Sequence, residues 1–293
     1  MKILITGASG MLGRKILTLA PKKYTIYPTF YKNTPAENNW ISLNIENKDN
    51  VDEVVRKVRP NIIIHTASLG NVDFCEQNQK KAWRINVEGT NNIVHAAKGI
   101  GAKVVFCSSN AVFDGTDSVY DEKAKPNPIN YYGKTKLIGE TSVKQLEHFL
   151  IFRLNTIYGW SPKGERINPV EWILNRLKNN ISTYAVDDVF NNHLWVNQAA
   201  LSIWSAIKKE RTKEIFHIAG KNCLSRYDFF KIVSKTFKYD LQLLKPVQSD
   251  FFETLALRPK KTCFDTSRME KFLRVKPITV SQGIKRMKKE YEE

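Results

Sequence analysis

Apolar and polar positions in the first half of the chain alternate between two periods. Residues 2–6 (KILIT), 24–30 (YTIYPTF), 61–67 (NIIIHTA), 103–109 (KVVFCSS) and 149–155 (FLIFRLN) are short, almost continuous apolar runs. That is the pattern of strands covered on both faces. Between them lie stretches with helical spacing. MLGRKILTLA stops at Pro21, VDEVVRKVRP ends at Pro60, and AWRINVEGTNNIVHAAKGIG closes at Gly99 and Gly101. YYGKTKLIGETSVKQLE reads as a helix with Asn130 as its N-cap. Strand-helix alternation of this kind predicts an α/β fold with a doubly wound parallel sheet over residues 1–158. Past Gly159 the pattern changes to a loop and helix (SPKGERINPVEWILNRLKNN), a helical stretch (HLWVNQAALSIWSAI), a strand-like run (EIFHIAG) and further helices and loops. Residues 159–293 are therefore expected to form a smaller, discontinuous C-terminal region covering one end of the sheet, with about 188–219 returning to the first domain. The closing GIKRMKKEYEE mixes both charge signs and reads as a solvated helix.

Composition narrows the class. The chain has 293 residues, enough for a substantial core, and 42% hydrophobic residues, which is ordinary for a globular protein. The N-terminus lacks a signal-peptide pattern, and no apolar run is long enough to span a bilayer, so a cytoplasmic protein with no membrane partner is expected. The net charge of +17 favours anionic ligands. Its spread along the chain, without an Arg-rich tail, makes nucleic acid an unlikely partner. Cys75, Cys107, Cys223 and Cys263 are widely separated with no CxxC pair, so neither a disulfide framework nor a zinc site is expected and a reducing compartment fits. His65, His95, His193 and His217 show no metal spacing and read as structural. His193 is the one nearest to a functional assignment.

Strand one runs into TGASGMLG, with glycines at 7, 10 and 13. A tight turn, a backbone able to approach a pyrophosphate and a helix N-terminus supplying N–H groups are what a dinucleotide needs. Strand two ends in Thr29-Phe30-Tyr31-Lys32 without an acid to hold a ribose 2′-hydroxyl. Lys32 meets a 2′-phosphate or faces water, so NADP(H) is favoured and NAD(H) left open.

In INYYGKTK (129–136) two tyrosines precede two lysines. On a helix, Tyr132 and Lys136 share a face four residues apart, whereas Tyr131 meets only Thr135. An ammonium beside a phenol is expected to lower its pKa from about 10 towards neutrality, giving a usable acid or base. Ser109, ending the preceding strand, can hydrogen-bond a carbonyl oxygen alongside.

TGASGMLG, NIIIHTAS, NVEGT at 86–90, CSSNAVFDG at 107–115 and YGKTKLIGE at 132–140 together resemble the extended short-chain dehydrogenase/reductase family. With RLNTIYGW and RPKKTCFDTSRME in order, the chain is most similar to its dTDP-4-dehydrorhamnose reductase group. The resemblance implies a Rossmann-like fold and a Ser109, Tyr132, Lys136 catalytic set. It places Gly7, Ser9, Gly10, Met11, Leu12 and Gly13 at the pyrophosphate, Asn44 and Ile45 at the adenine, and Thr66, Ala67 and Ser68 beside the cofactor. Lys136 would also hold the nicotinamide ribose. At the substrate end Asn110, Ala111 and Thr156 replace Asp, Tyr and Trp of that group, which removes stacking surface. His193 falls in a cleft-lining stretch. Arg258 either contacts a substrate phosphate or lies on the surface.

The resemblance implies an NADPH-dependent reductase of a 4-keto nucleotide sugar in deoxysugar or polysaccharide biosynthesis. A nucleotide-sugar epimerase and a non-catalytic NADP-binding subunit like the methionine adenosyltransferase regulatory β subunit are the alternatives. A homodimer is allowed. A 4,6-dehydratase is disfavoured, because Asn110 and Ala111 stand where that enzyme has an Asp-Glu pair.

Overall fold

A computed structural model describes the chain except residues 33, 34, 36, 38, 163, 165, 254, 255 and 293. Through residue 158 the elements run β1 (Lys2–Thr6), α1 (Met11–Thr18), β2 (Thr25–Phe30), β3 (Ile41–Ser42), α2 (Lys48–Val58), β4 (Ile62–His65), α3 (Val72–Gln77), α4 (Gln79–Trp83), α5 (Gly89–Gly99), β5 (Lys103–Ser109), α6 (Tyr131–Val143), β6 (Phe149–Leu154) and β7 (Ile157–Tyr158). After it come α7 (Pro169–Lys178), β8 (Thr183–Val186), β9 (Phe190–Asn191), β10 (Leu194–Trp195), α8 (Val196–Lys208), β11 (Glu214–Ile218), β12 (Leu224–Ser225), α9 (Arg226–Phe237), β13 (Leu244–Val247) and α10 (Val280–Glu292).

The main sheet is seven-stranded and parallel, ordered β11-β6-β5-β4-β1-β2-β3. Alternate strand residues face opposite helical layers. Ile3, Ile5, Val105, Leu150 and Phe152 pack towards α1 and α8. Leu4, Ile63, Val104, Phe106 and Ile151 pack towards α2, α5 and α6. Each such side chain stabilises the fold by roughly 1.5–3 kcal/mol on burial. The helix α2 shows how pattern becomes packing: Val51, Val54, Val55 and Val58 form its buried stripe, Asn47 caps it through Asn50 N, and Arg59 ends it in the left-handed region before Pro60.

Two expectations are corrected. The helix read across 82–101 is interrupted by a π-helical turn at Arg84–Glu88, and such turns occur frequently at functional sites. Cys223 and Cys263, expected to be reduced, form a disulfide across 40 residues with Cα atoms 5.7 Å apart. Linear spacing could not show it. The antiparallel β9–β12 pair and the Phe190–Lys261 bridge bring the two segments together, at a separation that suits the bond. The cysteine argument for a reducing compartment is removed with it. Cys75 and Cys107 are free and buried.

The closing helix α10 buries Val280, Gly283, Ile284 and Met287 against the C-terminal cluster, so only its outer face is solvated. Among the described residues no helix is long and apolar enough to cross a membrane, and no group of three or more His, Cys, Asp or Glu side chains could hold a metal ion.

Candidate active site

The sheet order reverses between β1 and β4, which opens a crevice at their carboxyl ends. The ends of the two strands are tied together: Thr66 Oγ1 donates to Thr6 O at 2.6 Å, and Thr6 Oγ1 bonds His65 Nδ1 at 2.7 Å. Gly7 turns out of β1 at φ +66°, and a Cβ there would lie 2.7 Å from Ala67 N. At Gly13 a Cβ would meet Gly7 O and Ala8 Cα, so α1 can approach β1 only with glycine there.

Gly10 differs, because a Cβ there would touch only Gly7 O, at 3.5 Å. It is the N-cap of α1, and no side chain caps the helix. A turn with open space before uncapped N–H groups fits a pyrophosphate. Ser9, Met11 and Leu12 are half-buried around it. At the adenine end Asn44 Nδ2 donates to Tyr31 Oη at 3.4 Å, Ile45 is buried, and Lys32 is exposed beside the Tyr31 ring.

The π turn gives a residue that the sequence reading left without a role. Asn86 is 2% exposed. Its Oδ1 accepts from Leu69 N at 2.7 Å and Ser68 Oγ at 3.0 Å, and its Nδ2 donates to Leu69 O and to Thr135 Oγ1 on α6. Asn86 thus braces the loop after β4 against the helix that carries Tyr132. The only sequence signal was its place in NVEGT.

Helix α6 begins as expected, with Asn130 Oδ1 accepting from Gly133 N at 2.8 Å. Glu76 Oε2 accepts from Tyr131 N at 2.9 Å, a second anchor, from α3. Tyr132 is half-buried, and a hydrogen bond joins it to the Ser109 hydroxyl, which also accepts from Ala111 N at 3.1 Å. Lys136 is 3% exposed with Nζ 4.2 Å above the Phe106 ring.

The expected lowering of the phenol pKa is not found. Burial pushes Tyr132 up to about 12, and the Ser109 hydrogen bond is the leading opposing influence. Burial also brings Lys136 down to about 8, against the upward pull of Cys107 and Glu140. The site therefore holds a protonated phenol at neutral pH, as a proton donor requires.

Beneath it, Glu140 of α6 and Arg153 of β6 form a buried ion pair, with Nε–Oε1 at 3.0 Å and Nη2–Oε2 at 2.8 Å. Ser108 Oγ donates to the same carboxylate at 2.6 Å. The helix bearing Tyr132 and Lys136 is thus pinned to two strands of the sheet.

The expected substrate residues fall into distinct settings. Asn110 Nδ2 donates to Asn191 Oδ1 at 2.9 Å and to Thr262 Oγ1 at 2.7 Å. Thr156 Oγ1 reaches the same Asn191 oxygen at 3.4 Å. Asn191 and Thr262, unmarked in the sequence reading, are the joints of this polar wall. Ala111 is 9% exposed, with its carbonyl against Gly133 of α6.

His193 does not open into the cleft. It is 3% exposed, stacks on Phe229 with centroids 3.8 Å apart, and burial takes its pKa down to about 3. His65 and His217 are likewise buried, with pKa values brought down to about 3. Arg258 is engaged by Asp73 at 2.9 and 2.7 Å and by Ala256 O at 3.0 Å, which leaves little of its fork for a phosphate.

A glycine turn at a sheet switch point, with Ser109 at the carboxyl end of β5 and Tyr132 and Lys136 on the following helix, is the arrangement of the NAD(P)-binding short-chain dehydrogenase/reductase class. The RmlD substrate binding domain family matches residues 1–293, and the chain belongs to that family. The crystal structure of dTDP-4-dehydrorhamnose reductase from Bacillus anthracis in complex with NADP superposes with a TM-score of 0.88 at 28% identity, covering 99% of each chain. The dTDP-4-dehydrorhamnose reductase of Aggregatibacter actinomycetemcomitans is 27% identical over 300 residues, 98% of each chain. Methionine adenosyltransferase 2 subunit beta of Bos taurus is 27% identical over 289 residues, 92% of this chain and 81% of that one.

Proposed function

We propose that the protein is an NADPH-dependent reductase of a 4-keto nucleotide sugar, acting in deoxysugar or polysaccharide biosynthesis. The observation that carries this reading is the hydrogen bond between Tyr132 and Ser109 at the carboxyl end of β5, in the sheet whose β1 ends in the glycine turn. When bound, NADPH would supply the hydride. Ser109 donates a hydrogen bond to the keto oxygen and fixes its position. Tyr132 gives its proton to that oxygen as negative charge develops there. Lys136 keeps a positive charge behind the phenol and holds the nicotinamide ribose.

The choice of NADPH rests on exposed Lys32 and the absence of an acid at residues 29–32. Glu37, further along, is paired with Arg14 at 2.6 Å. Calorimetric titration should give tighter binding of NADPH than of NADH, and the reverse order would overturn this choice. NADPH oxidation with dTDP- and UDP-linked 4-keto sugars tests the reaction.

A second reading, a non-catalytic NADP-binding regulatory subunit, draws on the methionine adenosyltransferase relatives. No turnover with any sugar, together with co-purification with a methionine adenosyltransferase catalytic subunit, would favour it.

A further inference from the structure

The two ends of the Cys223–Cys263 disulfide stand in unlike settings. Cys263 is 1% exposed, whereas Cys223 lies on the surface directly before β12. Thiol exchange needs access to a sulfur, and the Cys223 side offers it. The other two cysteines do not compete. Both are buried, and burial pushes the Cys75 thiol up to about 11 and the Cys107 thiol up to about 12, which leaves little thiolate to react.

The bond also holds something that matters to the site. Both segments it joins pair with β9: Leu224 and Ser225 with Asn191 and Phe190, and Lys261 with Phe190. The strand β12 is only two residues long, and so short a ladder is marginal alone. The covalent bond ties it directly to the 260–264 segment. Thr262, next to Cys263, is 1% exposed with every polar group engaged. Its hydroxyl accepts from Asn110 Nδ2 at 2.7 Å and donates to Asn191 Oδ1 at 3.0 Å. Its carbonyl accepts from Asn155 Nδ2 at 2.7 Å, and its N–H donates to Phe190 O at 3.1 Å. Asn110 in turn follows Ser109, whose Oγ reaches Asn110 Oδ1 at 3.3 Å. One residue step and two hydrogen bonds thus separate the buried sulfur from the hydroxyl at the reaction centre.

We propose that the Cys223–Cys263 pair is a thiol-exchange site that sets how firmly the substrate wall is held, with Cys223 as the sulfur attacked. A reductant thiolate forms a new S–S bond to Cys223 Sγ, the bond to Cys263 breaks, and Cys263 leaves as a thiolate that takes up a proton. A dithiol completes the step: its second thiol displaces Cys223, the pair gains two electrons, and the reductant becomes a disulfide. The exchange site stands on the geometry alone; its effect on turnover rests on the reductase reading above.

The test uses the full chain under native conditions. After incubation with reduced glutathione and an acid quench, peptide mass spectrometry should find glutathione on Cys223 and not on Cys75, Cys107 or Cys263. After dithiothreitol, kcat/KM for a reducible sugar should fall by about tenfold, mainly through KM, as loss of one or two hydrogen bonds at Asn110 does. NADPH affinity should stay unchanged, and oxidised glutathione should restore the rate, which a damaged chain would not allow. The Cys223→Ser/Cys263→Ser double variant should show the reduced-state rate with or without reductant, its NADP+ binding reporting that it is folded. A bond that resists both reductants until the chain is unfolded would overturn the exchange site. Clean reduction with kcat/KM unchanged would overturn its control of the wall. Should no sugar be turned over in either state, the reductase reading fails separately, and hydrogen exchange then decides. Faster exchange at the Thr262 and Phe264 amides of the reduced chain, with α1 unaltered, supports the proposal, and equal exchange in both states overturns it.

Discussion

The turn after β1 and the polar wall centred on Asn191 and Thr262 both border the candidate site, but they are built in opposite ways. The turn is made by backbone: Gly7 and Gly13 permit contacts that no side chain would allow, and its glycines all lie within residues 7–13. The wall is made by side chains from distant segments, with Asn110, Thr156, Asn191 and Thr262 joined by hydrogen bonds and Cys223 joined to Cys263. A site divided this way can keep its cofactor geometry while its substrate surface is altered one side chain at a time.

Tyr132 stands at the seam, and its removal should produce the largest separation between the two regions. Tyr132→Phe should lower turnover of a reducible sugar by about 10²- to 10⁴-fold, the usual contribution of a positioned acid. NADPH affinity should be nearly unchanged, because the turn does not depend on the phenol. Tyr131→Phe should retain near-normal rates. Comparable losses in both variants, measured by steady-state NADPH oxidation, would show that the wrong tyrosine has been chosen.

The same division explains what the sequence could show. The glycine turn, the Tyr132–Lys136 spacing and the Asn130 cap are local, so their spacing along the chain is their geometry. Asn86 acts through partners 17 and 49 residues away, and Arg153 pairs with Glu140 across 13. Asp73 meets Arg258 across 185 residues. No periodicity records such pairings. The phenol pKa was misjudged for a related reason: helical spacing reports proximity to Lys136 but not the burial that outweighs it.

The next largest effect concerns the platform under both regions. Glu140→Gln leaves Arg153 buried without its counter-charge, and breaking such a pair costs about 3–5 kcal/mol. Urea unfolding should show this loss in stability. Replacing both partners with apolar residues of similar size should cost far less. A loss below about 1 kcal/mol for the single variant would mean that the pair does not anchor α6.

Cys223→Ser acts on the wall alone. Releasing a disulfide that spans 40 residues should lower stability by about 2–4 kcal/mol. NADP+ affinity should hold, since no residue of the turn touches that bond, and a dithiol reductant should reproduce the effect in the wild type. An equal loss of cofactor binding would break the proposed independence of the two regions.

The smallest effect is a pH dependence that tells Lys136 from Tyr132. With its pKa brought down to about 8, Lys136 is charged below that pH and neutral above it. Tyr132, pushed up to about 12, keeps its proton through the whole working range. The reduction rate should therefore be flat below pH 8 and fall about tenfold per pH unit well above it, with Lys136 as the titrating group. Lys136→Arg retains charge at every accessible pH and should remove this limb even if it lowers the rate throughout. If the fall near pH 8 persists in Lys136→Arg, the titrating group lies elsewhere, and the electrostatic role given to the buried lysine is lost.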